Sequence, residues 1–207
     1  MNETLRKKAA LLLETLHQIP GVKRCTLYGS LAENRDDRLS DIDIEADVSG
    51  LDNGVFVLNL PELLKEKLQI WYVDYAPSLA PEQYVVSLAL DAQNPFLIAD
   101  IRCSADPHSK SISRNELSSR NNPYTHILKL WTANLKHYAR GNDCAGDIRR
   151  MAAKLGIDQL ETPEEMLEKV LVWLENNVPE HLGVFLTSCR REWERIHSAE
   201  TGNVQPD

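Results

Sequence analysis

The stretch that most constrains this chain runs from Leu27-Tyr28-Gly29-Ser30, through ten intervening residues, to Asp41-Ile42-Asp43-Ile44. An apolar segment ends in two small residues, and a second segment then alternates acid and apolar side chains. Side chains along a strand point to opposite faces in turn, so Asp41 and Asp43 share one face while Ile42 and Ile44 share the other. Two carboxylates on one strand face repel each other and are costly to desolvate. A divalent cation makes such a pair favourable, because hard cations such as magnesium take oxygen ligands. The Gly29-Ser30 turn can bring backbone N–H groups and a hydroxyl up to phosphate oxygens. A metal binder beside a phosphate binder points to nucleotide chemistry.

Gly29-Ser30, the spacer and Ser40-Asp41-Ile42-Asp43 resemble the signature of the DNA polymerase beta-like nucleotidyltransferase superfamily, which includes antibiotic and minimal nucleotidyltransferases. That pattern requires a third acid on a later strand, and Phe96-Leu97-Ile98-Ala99-Asp100-Ile101 supplies Asp100. Asp74, in Trp71-Tyr72-Val73-Asp74-Tyr75, is its rival. Asp100 is preferred because it lies on the last strand, where the resemblance expects the acid. The resemblance covers the first half of the chain. It implies that Asp41, Asp43 and Asp100 are catalytic and hold two Mg2+ ions, with Asp100 accepting the proton of the acceptor hydroxyl. It also implies that Gly29 and Ser30 bind the triphosphate of an NTP.

Around the motif the pattern is α+β. Residues 4–17 form an amphipathic helix, with Leu5, Ala9, Leu12, Leu13 and Leu16 on one side. Strands are predicted over 22–28, 41–48, 70–75, 84–90 and 96–102. The last two are joined by a hairpin-like loop at 91–94. A short helix is expected after the Gly-Ser turn, and another over 60–68 with Pro61 in its first turn. Residues 104–122, rich in Ser and Asn, read as loop. Beyond them everything reads as helix: 124–138, 145–155, one opened by the capping box Thr162-Pro163-Glu164-Glu165, and one opened by Pro179. The predicted organisation is a small mixed β-sheet domain with flanking helices at 1–110, a linker at 111–122, an α-helical bundle at 123–200, and a tail at 201–207.

Charge narrows the partners. The chain carries −8 over 207 residues, with 18 acids against 12 Lys and Arg in residues 1–119 and 13 against 11 in residues 120–207. Binders of a phosphate backbone carry basic patches, so a nucleic-acid acceptor is disfavoured. Glu45 and Asp47 continue the face of Asp41 and Asp43, and Glu45 is a candidate acceptor-binding residue, part of an acidic lip for a cationic acceptor. Arg35 and Arg38 lie between the motif halves, and Arg38 is a candidate contact to the triphosphate. Arg149, Arg150 and Lys154 read as a solvated helix face. Arg120 and His126 loosely resemble an Arg–His ribonuclease motif of helical domains that accompany minimal nucleotidyltransferases. Trp131, Trp173 and Trp193 fall at helical core positions.

Cys25, Cys103, Cys144 and Cys189 are scattered, with neither a zinc pattern nor a disulfide framework. Residues 1–16 lack a signal-peptide order, and no apolar run approaches the ~18 residues of a membrane span. A cytoplasmic protein without a membrane is therefore expected, its oligomeric state open. The resemblance implies transfer of a nucleoside monophosphate, AMP in its most concrete form, from an NTP to a hydroxyl of a small molecule. An aminoglycoside-like or lincosamide-like antibiotic is one such acceptor. Two other readings use the same residues: modification of a partner protein in a toxin–antitoxin pair, and a nucleotide-binding module without turnover.

Overall fold

The computed structural model describes residues 3–77, 83–106, 111–157 and 161–201. They fall into two compact units. One comprises residues 1–91 and 96–122, the other residues 92–95 and 123–207. The whole is mixed α+β.

In the first unit, α1 (Glu3–Gln18) precedes β1 (Arg24–Tyr28), and a single helical turn, α2 (Gly29–Ala32), follows it directly. Then come β2 (Ile42–Asp47), α3 (Asn53–Leu64), β3 (Tyr72–Pro77), β4 (Gln83–Ala89), β5 (Ile98–Ser104) and α4 (Arg114–Ser119). The five strands form one sheet in the order β1-β2-β5-β4-β3. Only β2 and β5 pair in parallel; the other pairs are antiparallel.

The alternation along β2 decides what each face becomes. Ile42, Ile44 and Ala46 are fully buried, as are Ile101, Cys103, Val86 and Leu88 on the strands beside them. Leu5, Leu12 and Leu16 of α1 join the same core, with Val57, Leu60 and Leu64 of α3. Removing each such side chain from water contributes about 1.5–3 kcal/mol, so register is strongly held: a one-residue slip would turn Asp43 and Asp100 into the core.

Two local readings are corrected. The helix expected over 60–68 begins at Asn53, where Asn53-Gly54 signals a turn. Asp52 caps it, its carboxylate accepting the N–H of Val55 at 3.0 Å. Pro61 therefore lies inside α3 rather than in its first turn. Burial of Phe56, Val57, Leu60 and Leu64 outweighs the lost backbone bond. The second correction concerns 111–122, where the Ser- and Asn-rich composition hides α4. Ser113 caps this helix, and Leu117 is fully buried. The Asn121 side chain then accepts from Tyr75 N at 2.6 Å and donates to Tyr75 O at 2.7 Å. A side-chain amide thus stands in for a neighbouring strand along the edge of β3.

The second unit is helical: α5 (Pro123–Ala139), α6 (Ala145–Ala153), α7 (Pro163–Asn177), a 3-10 turn (Glu180–Leu182) and α8 (Gly183–Thr201). The helix expected from Pro179 opens as that 3-10 turn. The capping box forms as read: Glu165 N donates to Thr162 Oγ1 at 3.2 Å, and Thr162 N donates to the Glu165 carboxylate at 2.8 Å. Trp131 and Trp193 are buried, and Trp131 Nε1 donates to Leu167 O at 2.9 Å. Trp173 is half-buried and stacks on Tyr124, ring centroids 5.8 Å apart. Arg190 forks between Glu168 and Glu175, at 2.6 and 2.7 Å, pinning α8 to α7. Of the tail read over 201–207, Thr201 ends α8, and residues 202–207 lie outside the described residues.

Candidate metal centre

The face of the sheet opposite the core carries a polar row. Backbone register places Tyr28, Asp43, Asp100, Ser87 and Asp74 directly opposite one another across β1, β2, β5, β4 and β3. Parallel pairing of β2 with β5 sets Asp43 beside Asp100, and Asp41 lies one residue before β2. Carboxylate oxygens of Asp41, Asp43 and Asp100 lie within 4.8 Å of one another, each side chain half-buried. Three anions this close repel strongly where water is partly excluded. All-oxygen donors at this separation suit a hard divalent cation.

The turn after β1 is shaped around this cluster. Gly29 has φ +70°, a left-handed conformation that disfavours a side chain. A Cβ there would collide with Asp43 Oδ2 and stand 3.2 Å from its Cγ. Glycine is therefore required twice over, by the backbone angle and by the carboxylate pressed against it. Ser30 is half-buried in the first turn of α2, so the Gly-Ser pair opens a helical turn rather than preceding one.

The loop between the motif halves is tied at both ends. Arg35 N donates to Ser30 O at 2.9 Å. Asp36, its side chain fully buried, is ion-paired with Arg6 of α1. Asp37 accepts from Leu39 N and from the Ser40 hydroxyl, both at 2.9 Å, and Ser40 is fully buried. These bonds fix the chain immediately before Asp41. Arg35 pairs with Glu33, and Arg38 is exposed in the same loop.

Glu45 follows Asp43 on the same face, half-buried. It lines a pocket of about 450 Å³ together with Arg24, Asp47, Ser49, Ser104 and Asp106. Bonds from the Ser49 hydroxyl and backbone N–H hold the Asp47 carboxyl below its ordinary value. Arg102, opposite Glu45 in the register, places its guanidinium 4.7 Å from the centre of the Tyr28 ring. Burial pushes the Tyr28 phenol up to about 12. The charges of Asp43, Asp100 and Glu45 add to the rise, and Arg102 opposes it.

Asp74 does not join the cluster. It is 1% exposed on β3, two strands from Asp100 in the sheet order. Arg150 pairs with Asp147 on the surface of α6, and Arg120 stands 3.6 Å from Glu116. Three residues of the site escaped the sequence reading: Tyr28, Ser87 and Arg102. Ser87 had left a sign, because it interrupts the apolar run Tyr84-Val85-Val86-Ser87-Leu88-Ala89-Leu90. Its hydroxyl donates to Asp100 Oδ1. No helix among the described residues is long and apolar enough to cross a membrane.

No protein-family model matches the chain, and no curated protein does. Among solved structures, a chain of the GLD-2/RNP-8 complex is similar over 88% of this chain, at 16% identity and a TM-score of 0.32. The match spans 62% of that chain. A likeness at this level bears on neither activity nor partners.

Proposed function

We propose that this chain is an Mg2+-dependent nucleotidyltransferase that moves a nucleoside monophosphate, AMP in the most concrete case, from an NTP to a hydroxyl of a small molecule. One observation carries the reading: Asp41, Asp43 and Asp100 converge within 4.8 Å beside a glycine whose missing side chain makes room for Asp43. The donor set is all carboxylate, which fits magnesium rather than a thiolate- or imidazole-seeking metal.

Asp41 and Asp43 would hold both ions, and Asp100 the one nearer the acceptor. Bound there, the metal supplies charge neutralisation at the triphosphate and acidifies the acceptor hydroxyl. Ser30 would hydrogen-bond the β- or γ-phosphate, with Gly29 allowing close approach and Arg38 adding positive charge. Asp100 would take the acceptor's proton as the new oxygen–phosphorus bond forms at the α-phosphorus. The bond to pyrophosphate breaks in line, and the proton passes on to solvent. Most of the catalysis is positioning and electrostatics.

For the acceptor, the acid-rich pocket beside Glu45 and the net charge of −8 support a cationic small molecule of the aminoglycoside type. The test is pyrophosphate release from each of the four NTPs with Mg2+, against aminoglycosides, lincosamides and candidate proteins. Release that depends on one acceptor and disappears in Asp41→Ala/Asp43→Ala supports the reading and names both substrates. Equal release by wild type and the double variant overturns it.

A further inference from the structure

Ser87 is fully buried in the middle of β4. Val85 and Ala89, two residues to either side, present apolar side chains to the same sheet face. An alanine would continue that pattern. A hydroxyl removed from water is unfavourable unless it is bonded, and this one donates to Oδ1 of Asp100. Register fixes the encounter, since Ser87 is opposite Asp100 across the β4–β5 pair. Asp74 stands opposite Ser87 on its other side, so one hydroxyl lies between two acids of the row. Its single proton is committed to the acid that belongs to the triad.

A carboxylate on a strand retains freedom about its terminal torsion, which is broad and roughly two-fold. In a cluster of three like charges, repulsion alone would turn Asp100 outward. A charge-assisted O–H···O⁻ bond from a buried donor opposes that rotation and leaves the remaining lone pairs of the carboxylate for a cation. We infer that Ser87 is a positioning residue for Asp100, its hydroxyl holding the carboxylate in the orientation that completes the Asp41–Asp43–Asp100 triad. The inference rests on the metal-binding reading of that triad. It adds a partner that holds one ligand in place without touching the metal itself.

Outer hydrogen-bond partners of metal ligands typically alter affinity 10–100-fold, which sets the expected effect. The probe is Mn2+ alone, its free fraction followed by electron paramagnetic resonance with wild type, Ser87→Ala, Ser87→Cys, Ser87→Thr and Asp100→Asn. Ser87→Cys keeps the volume while exchanging a strong donor for a weak one, so it separates hydrogen bonding from packing. Ser87→Thr keeps the hydroxyl. The expected result is a loss of Mn2+ affinity of about 10–100-fold in both Ser87→Ala and Ser87→Cys, most of it restored in Ser87→Thr. Melting temperatures of the metal-free Ala and Cys variants should stay close to wild type. If Ser87→Ala and Ser87→Cys bind Mn2+ as wild type does while Asp100→Asn loses it, the inference about Ser87 is overturned and the triad stands. If wild type binds no Mn2+, or Asp100→Asn binds it equally well, the triad reading falls and this inference falls with it.

Discussion

Trp131 in the helical unit, fully buried, and Asp100 in the sheet unit, half-buried, each carry a polar group, and their surroundings treat it differently. The Trp131 indole N–H meets one acceptor, Leu167 O, and the ring is fully buried. Its polar atom is satisfied and has nothing further to do. Asp100 accepts one bond from Ser87 and then faces two further carboxylates within 4.8 Å. The same contrast runs through both units. Arg190 of the bundle is enclosed by Glu168 and Glu175, opposite charges that neutralise it. The face of the sheet away from the core gathers Asp41, Asp43, Asp100 and Glu45, with Arg102 drawn onto the Tyr28 ring. Where charges are matched, the polar groups specify packing. Where like charges are held together by register, the fold has the makings of a site for something positive.

The largest test of this contrast is Asp41→Ala/Asp43→Ala. Loss of metal-borne charge stabilisation is expected to lower pyrophosphate release by at least about a thousandfold, with the melting temperature unchanged or raised because two crowded anions are gone. A fall in melting temperature of more than a few degrees would assign the pair a structural role instead. Trp131→Ala inverts the pattern: it should cost about 3–5 kcal/mol in chemical denaturation, while folded protein binds Mn2+ as tightly as wild type. Weakened Mn2+ binding in that variant would mean that the two regions are not separable. Gly29→Ala falls between them. The left-handed backbone costs about 1–2 kcal/mol, and displacing Asp43 should reduce turnover about a hundredfold. Full activity in Gly29→Ala would remove the close approach to Asp43 from the argument.

Smaller effects come from the ends of elements. Thr162→Ala removes one half of the capping box and should cost about 1 kcal/mol without altering metal binding. On the sheet unit, the lowered Asp47 value means that its stabilising contribution is present above the ordinary aspartate range and disappears as pH falls through the lowered folded value. Ser49→Ala should therefore shrink the acid limb of the stability profile without removing it, because Ser49 N also donates to Asp47, at 2.9 Å. An unchanged acid limb would leave Asp47 an ordinary surface carboxylate.

Much of this was legible in the residues. Period-two alternation in Asp41-Ile42-Asp43-Ile44 determined a strand with one apolar and one acidic face, because burying Ile42 and Ile44 leaves the carboxylates no other side. Capping chemistry at Thr162 and helical periodicity beyond residue 122 determined the helices of the second unit. Local signals misled at Asn53-Gly54 and at Pro61, where burial of the α3 face outweighed turn propensity, and at 111–122, where α4 lay under a polar composition. The sequence supplied three aspartates; it did not determine that Asp100 rather than Asp74 would stand beside Asp43. Strand order decided that, by placing β5 parallel to β2 and β3 at the far edge. Nor could the sequence show that Gly29 makes room for Asp43, that Arg102 lies over Tyr28, or that the Ser87 hydroxyl reaches Asp100. Residues 13 positions apart in one case and 74 in the other become neighbours only when strands pair, and pairing is set by the hydrophobic burial of the opposite face, on which none of these side chains lies.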